Sequence, residues 1–118
     1  MPGWSIDVDT DQSWLCLSVS RTGAGGRDRE PHETELADTL MNIAGQQANH
    51  RLVVEFADGL LFSSLLVGQL VVLHKRVHLS GGSLRLCGLS DFNRETLRLM
   101  GVMDRFVLFT DRAAAVTA

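Results

Sequence analysis

Hydrophobic and polar residues alternate at the start of the chain. Trp4, Ile6 and Val8 are separated by Ser5, Asp7 and Asp9, and Thr10-Asp11-Gln12 reads as a turn. Leu15, Leu17 and Val19 then alternate with Trp14, Cys16 and Ser18. Period-two runs flanking a short polar turn predict a β-hairpin. Further on the period changes. Leu36, Leu40, Ile43 and Ala44 recur at i, i+4, i+7 and i+8, one stripe of a helix. Pro31 suits its first turn, and Gly45 to His50 is read as its end.

Leu52-Val53-Val54-Glu55-Phe56 is almost continuously apolar, the pattern of a central strand covered on both faces, and Asp58-Gly59 bends the chain after it. Ser63 or Ser64 can cap a helix running to about His78, whose apolar residues wrap much of its circumference. Ser80-Gly81-Gly82 stops it. Leu84 to Cys87 predicts a strand, Ser90 to Met100 a helix closed by Gly101, Phe106 to Phe109 a strand, and Asp111 the start of a short last helix. The order ββαβαβαβα implies an α/β fold: one mostly parallel mixed sheet with right-handed crossovers and an N-terminal hairpin.

The 118 residues are enough for a single domain with one real core. Apolar residues at 45% and charged residues at 21% describe a globular chain and exclude disorder. A net charge of −3 argues against nucleic-acid binding by phosphate neutralisation. Residues 1–59 carry four basic and ten acidic side chains, whereas residues 60–118 carry seven and four, so one part of the surface is acidic and another basic. Cys16 and Cys87 sit inside apolar runs, as buried thiols of a reducing compartment do. No signal peptide opens the chain, and the apolar stretch Leu65–Leu73 is too short for a bilayer, so a cytoplasmic protein without membrane association is expected.

Catalytic chemistry finds little support. Gly23, Gly25 and Gly26 lie in a polar connector, residues 21–30, but a dinucleotide fingerprint would place its third glycine at Asp28 and be followed by an apolar helix. His74 and His78 have the i, i+4 spacing of two metal ligands, yet Lys75 and Arg76 follow His74 and no third ligand is evident. No nucleophile, base and orienter share a useful spacing. The expectation is a protein that is not an enzyme and needs no metal or cofactor.

From Leu52 to Val116 the chain resembles a STAS domain, the fold of bacterial anti-sigma factor antagonists. The residues that carry the likeness are Glu55, Asp58-Gly59, Phe62-Ser63-Ser64, Leu73-His74-Lys75-Arg76, Gly81-Gly82, Gly88-Leu89-Ser90, Leu97, Gly101, Phe106 and Thr110 to Ala114. In that register Ser63 stands where the family has Asp, and Ser64 at the first hydroxyl. Leu65 replaces the second Ser, the one that sporulation-type antagonists phosphorylate, and Leu66 replaces the following Gly. Residues 21–29 replace the Gly-Glu-Leu-Asp that follows the second strand.

The resemblance implies a regulatory module that holds an anti-sigma factor of the serine-kinase type and so relieves inhibition of a sigma factor. Its contacts would be Phe62, Ser63, Ser64, Leu65 and Leu66, with Ser64, or Ser63 beside it, as phosphorylation candidate. The residues themselves leave other readings open. Ser63 and Ser64 can serve purely as helix caps, and Leu65 and Leu66 as core or as a contact patch. The module can also be an unphosphorylated scaffold that joins other STAS proteins in a stressosome-like particle.

Overall fold

A computed structural model describes residues 4–21 and 35–118. Strand β1 (Trp4–Asp11) turns into β2 (Trp14–Arg21) through Gln12 and Ser13, whose φ values of 50° and 73° supply the twist of a two-residue hairpin loop. Then come helix α1 (Leu36–Gln47), β3 (Arg51–Phe56), α2 (Ser64–Leu79), β4 (Ser83–Cys87), α3 (Asp91–Leu99), a 3-10 turn (Met103–Arg105), β5 (Val107–Phe109) and α4 (Arg112–Thr117). One five-stranded sheet runs β1-β2-β3-β4-β5, antiparallel at the hairpin and parallel elsewhere. This is the expected α/β order and mixed sheet.

The pleat sorts the strand residues by face. Leu17, Val54, Leu86 and Leu108 stand abreast, and with Leu15, Val19, Leu52, Phe56 and Leu84 they form the floor of the main core. Above them lie Leu36, Leu40 and Ala44 of α1, Leu66, Leu70, Leu73 and Val77 of α2, and Leu97 of α3. The opposite face carries a smaller cluster, in which Trp14, Cys16, Val53 and Cys87 pack against Ala115 and Val116 of α4. Val53 belongs to this cluster and its neighbours Leu52 and Val54 to the main core, so β3 is covered on both sides, as its apolar run requires.

Some boundaries differ from the sequence pattern. Helix α1 continues through Gly45 and ends on Ala48, which adopts φ 52°. Gly45 has open space around it, so keeping it helical costs about 1 kcal/mol, which the packing of Leu40 and Ala44 offsets. The predicted start at Pro31 and the glycine-rich segment after Arg21 lie outside the described residues. Gly82 has a purpose the sequence did not reveal: a Cβ there would stand 2.1 Å from the His50 carbonyl oxygen, so the α2–β4 turn and the approach to β3 demand glycine.

Both cysteines are free and buried. Cys16 pairs across with Val53 on β3, and Cys87 with Glu55, so the two residues are two strands apart and two residues out of register, about 12 Å at the usual strand spacing and rise. That separation excludes a disulfide. Burial, with the Glu55 carboxylate adding to it, pushes the Cys87 thiol up to about 12. Desolvation also raises Cys16, though Arg112 works against it. The thiolate is the reactive species, so native labelling is expected to be slow at both positions and to accelerate on unfolding. Because the native pKa of Cys87 lies above that of an unfolded thiol, this group's stabilising contribution is intact below about pH 9 and is lost as pH rises towards 12. Denaturant melts from pH 8 to 11 are expected to show a fall in stability that is shallower in Cys87→Ala; rapid labelling of both native thiols would contradict the assignment.

Candidate functional site

The parallel strands β2, β3 and β4 deliver their C-terminal ends to one edge of the sheet, where α2 and α3 begin. The segment between β3 and α2 is built in steps. The Ala57 N–H donates to the Val19 carbonyl at 3.0 Å, and Gly59 takes φ 82° to make the bend. Phe62 then turns inward against Phe56, ring centroids 4.9 Å apart and edge to face.

Asn93 of α3 fixes this segment. Its Oδ1 accepts from the Phe62 N–H at 2.9 Å, and its Nδ2 donates to the Leu60 carbonyl at 2.8 Å. Its own N–H donates to the Oγ of Ser90, the cap of α3, at 3.1 Å. It is the one polar residue fully buried among the described residues. A single amide therefore ties the approach to α2 onto the first turn of α3, and the two helix N-termini open side by side.

Ser63 is the α2 cap: its Oγ accepts from the Leu66 N–H at 3.1 Å, while its φ and ψ are extended. Ser64 is the first helical residue and is exposed. The two serines thus divide the roles left open by the sequence, one capping and one on the surface. The five expected contact residues also divide. Phe62 and Leu66 are core residues, 5% and 0% exposed, so their side chains offer nothing to a partner; the i, i+4 packing of α2 on the sheet takes Leu66 inward. Leu65, one residue earlier, points outward at 42% exposure. Leu61 and Phe92, not singled out from the sequence, are exposed on either side of the Leu60–Asn93 bond. The surface at this end is therefore Leu61, Ser64, Leu65 and Phe92, with Ser63 half-buried between them.

The neighbouring sheet face is polar. Arg112, at the start of α4, donates to Asp9 at 3.0 Å and to the Ser18 Oγ at 3.2 Å, and lies 3.5 Å from the Glu55 carboxylate. Ser18 in turn donates to Glu55 at 3.1 Å. A shallow cleft of about 310 Å³ lies beside them, lined by Asp7, Ser18, Ser20, Glu55 and Asp58. No group of three or more potential metal ligands occurs among the described residues, and His74 and His78 lie parallel, ring centroids 6.4 Å apart. Among those residues no helix is long and apolar enough to cross a membrane.

The division of roles has measurable consequences. Ser63→Ala is expected to cost about 1 kcal/mol, and Ser64→Ala to stay within about 0.5 kcal/mol of wild type. Asn93→Leu leaves the Phe62 N–H and the Leu60 carbonyl without partners, and is expected to cost about 2–5 kcal/mol. Urea melts of the three variants check the order; a Ser64→Ala loss as large as that of Ser63→Ala would contradict it.

No protein-family model matches the sequence, and no curated protein matches it. Solved structures do match. A glutamate-substituted form of RsbS from Moorella thermoacetica superposes with a TM-score of 0.72 at 13% identity, over 92% of this chain and 88% of its own. An anti-sigma-factor antagonist (STAS) domain protein from Planctomyces limnophilus gives 0.69 at 22% identity, over 94% of each chain. The anti-sigma factor antagonist SpoIIAA, in its unphosphorylated form, gives 0.64 at 11% identity, over 94% of this chain and 93% of its own. Hairpin, parallel strands, paired helix N-termini and these superpositions together make the fold of this chain the STAS fold.

Proposed function

We propose that this chain is a regulatory binding module that captures an anti-sigma factor of the serine-kinase type, freeing a sigma factor in the cytoplasm, with Ser64 as the point of control. The observation that carries this reading is the position of Ser64. It is exposed in the first turn of a sixteen-residue helix, is relieved of capping by Ser63, and lies next to exposed Leu65. Structural likeness to anti-sigma factor antagonists gives the fold context. Ser63 is the weaker phosphorylation candidate because its hydroxyl is engaged at the cap and half-buried.

The mechanism is competition controlled by charge. Leu61, Leu65 and Phe92 supply apolar contact area to the partner. A phosphate on Ser64 adds about −1.5 to −2 charge. The helix N-terminus stabilises that charge by about 0.3–1 kcal/mol in the free protein, whereas an apolar contact must desolvate it. Phosphorylation therefore favours the free state. A second reading, a scaffold that joins other STAS proteins, is favoured by the length of the exposed stripe Leu65, Val72 and Leu79, which extends along α2 well beyond the Ser64 turn.

Leu65→Asp is expected to abolish capture of a cognate anti-sigma factor while leaving the far-UV circular dichroism unchanged. Leu66→Ala is expected to cost about 2–5 kcal/mol of stability. Ser64→Asp is expected to weaken capture and Ser64→Ala to keep it. Incubation with candidate kinases and ATP, followed by a phosphate-retardation gel, reads the modification itself. Absence of capture by the wild-type chain, with self-association lost in Leu65→Asp, would replace the antagonist reading by the scaffold.

A further inference from the structure

The opposite end of the sheet carries a second polar feature. The C-terminal turns of α2, the start of β4 and the 3-10 turn enclose a cleft of about 200 Å³, lined by His74, His78, Gly82, Ser83 and Arg105 and floored by Leu84 and other apolar side chains. From Ser64 to His78 is roughly 20 Å along α2 at the helical rise, so this cleft is separate from the proposed contact surface.

Three cationic or proton-accepting side chains meet there, and no carboxylate lines the cleft. Salt bridges tie Arg76, Arg98 and Arg112 to carboxylates, but Arg105 forms none among the described residues. The His74 ring packs edge to face on Phe106 at 5.7 Å, which fixes its plane. Its Nδ1 is shut off from solvent without a hydrogen-bond partner among the described residues, so the ring meets the cleft through its other atoms. A metal ion does not suit this lining, because Arg105 repels it and the parallel imidazoles do not converge on a single point. An anion, which is larger and attracted by the guanidinium, suits it. The negative end of α2's dipole opposes it, but the last carbonyls are already bonded: Val77 O accepts from the Ser80 and Gly82 N–H groups, and His78 O from the Gly81 N–H. The full charge of a guanidinium exceeds that half-charge.

We propose that this cleft binds a small tetrahedral oxyanion of the sulfate or phosphate class, held by the guanidinium of Arg105 and the imidazoles of His74 and His78. The binding is linked to protons. Desolvation, then His78 and Arg105, hold His74 below the ordinary imidazole range in the empty cleft. These are the charged groups that act on it: His78 from its own helix and Arg105 from the 3-10 turn. His50 stands behind Gly82 and does not line the cleft. An anion offsets the repulsion and raises the His74 pKa, so binding takes up a proton and strengthens as pH falls. Each unit of that rise makes the anion about tenfold tighter on the protonated form than on the neutral one.

Imidazole proton NMR on the full chain tests this with sodium sulfate, which keeps its charge from pH 6 to 8, at ionic strength held constant with chloride. Saturable shifts of the His74 and His78 signals are expected, identified with His74→Gln and His78→Gln, and tighter at pH 6 than at pH 8. Arg105→Gln is expected to weaken binding about tenfold, Arg105→Lys to restore part of it, and Arg98→Gln to change nothing. Circular dichroism confirms that each variant is folded. Inorganic phosphate and glycerol 3-phosphate, run side by side, separate a free oxyanion from an esterified one, and saturable binding of either supports the site. Shifts that fail to saturate, or that survive both His74→Gln and Arg105→Gln undiminished, overturn it.

Discussion

A buried amide must have both its donor and its acceptor satisfied, or it destabilises the fold that encloses it. Asn93 meets that condition through one arrangement only: the carbonyl of Leu60 and the N–H of Phe62 must face α3 at hydrogen-bond distance. Much follows from this. With residues 60 and 62 fixed, Phe62 lies on Phe56, Ser63 falls into the extended conformation of a cap, and Ser64 begins α2 facing solvent. An aliphatic side chain at position 93 would fill the same space without specifying any of these positions. The hydrogen bonds turn a β–α connection, which is usually variable, into a surface of defined shape.

The two faces of the sheet are unequal, and the inequality is electrostatic as well as geometric. On the main face, two long helices cover a row of Leu and Val. They are also coupled to each other, because Glu35 makes no side-chain cap bond at the start of α1 and the Gln69 Oε1 of α2 accepts from the Ala37 N–H instead, at 2.9 Å. On the other face the six-residue α4 covers only one end. There the Arg85 guanidinium lies 4.2 Å from the Trp14 ring and donates to the α4 backbone, while Arg112 spans to β1 and β3. Two arginines thus secure a helix too short to hold itself by apolar area, each engaging groups that would otherwise stand uncompensated on the sheet. The acidic character of the first half of the chain is partly the counterpart of these cations: Asp9 and Glu55 meet Arg112, and Asp38 meets Arg76.

What the sequence made legible follows the range of the interaction. Strand alternation, the continuous run Leu52–Phe56, the caps at Ser90 and Asp111 and the left-handed Gly101 are local signals that appear as expected, while the cap left open between Ser63 and Ser64 falls to Ser63. Family resemblance carried the arrangement of these elements beyond what periodicity alone could give. The details of the candidate site depended on contacts between distant residues. Leu65 and Leu66 are equally apolar, and only the rotation of α2 on the sheet decides that one is exposed and the other buried. Asn93 reads as an ordinary polar residue in the first turn of a helix, and its distinguishing sign is slight: it lies four residues before Leu97, on the buried stripe of α3. His74 reads as a surface histidine beside His78, yet Phe106, thirty-two residues later in the chain, packs on its ring.

The same parallel topology explains why chemistry gathers at the two ends of the sheet and not across its middle. On the main face each strand satisfies its backbone with its neighbours and packs its side chains under a covering helix, so few polar groups are left there to act. At the C-terminal ends of the strands the helices begin, and their free N–H groups must find oxygen atoms; Ser63 and Ser90 provide them, Asn93 joins the two turns, and an exposed hydroxyl remains at Ser64. At the other end the helices stop. Their last carbonyls are absorbed by Ser80, Gly81 and Gly82, and the side chains around that turn are free to diverge from packing duties. His74, His78 and Arg105 stand there without a carboxylate among the residues lining their cleft. An end that exposes Leu65 and the Ser64 hydroxyl and a basic end, joined by the sixteen residues of α2, are therefore consequences of one crossover. A single helix spans both, so its length sets their separation, and the burial of Leu66, Leu70, Leu73 and Val77 in the main core holds that helix on the sheet.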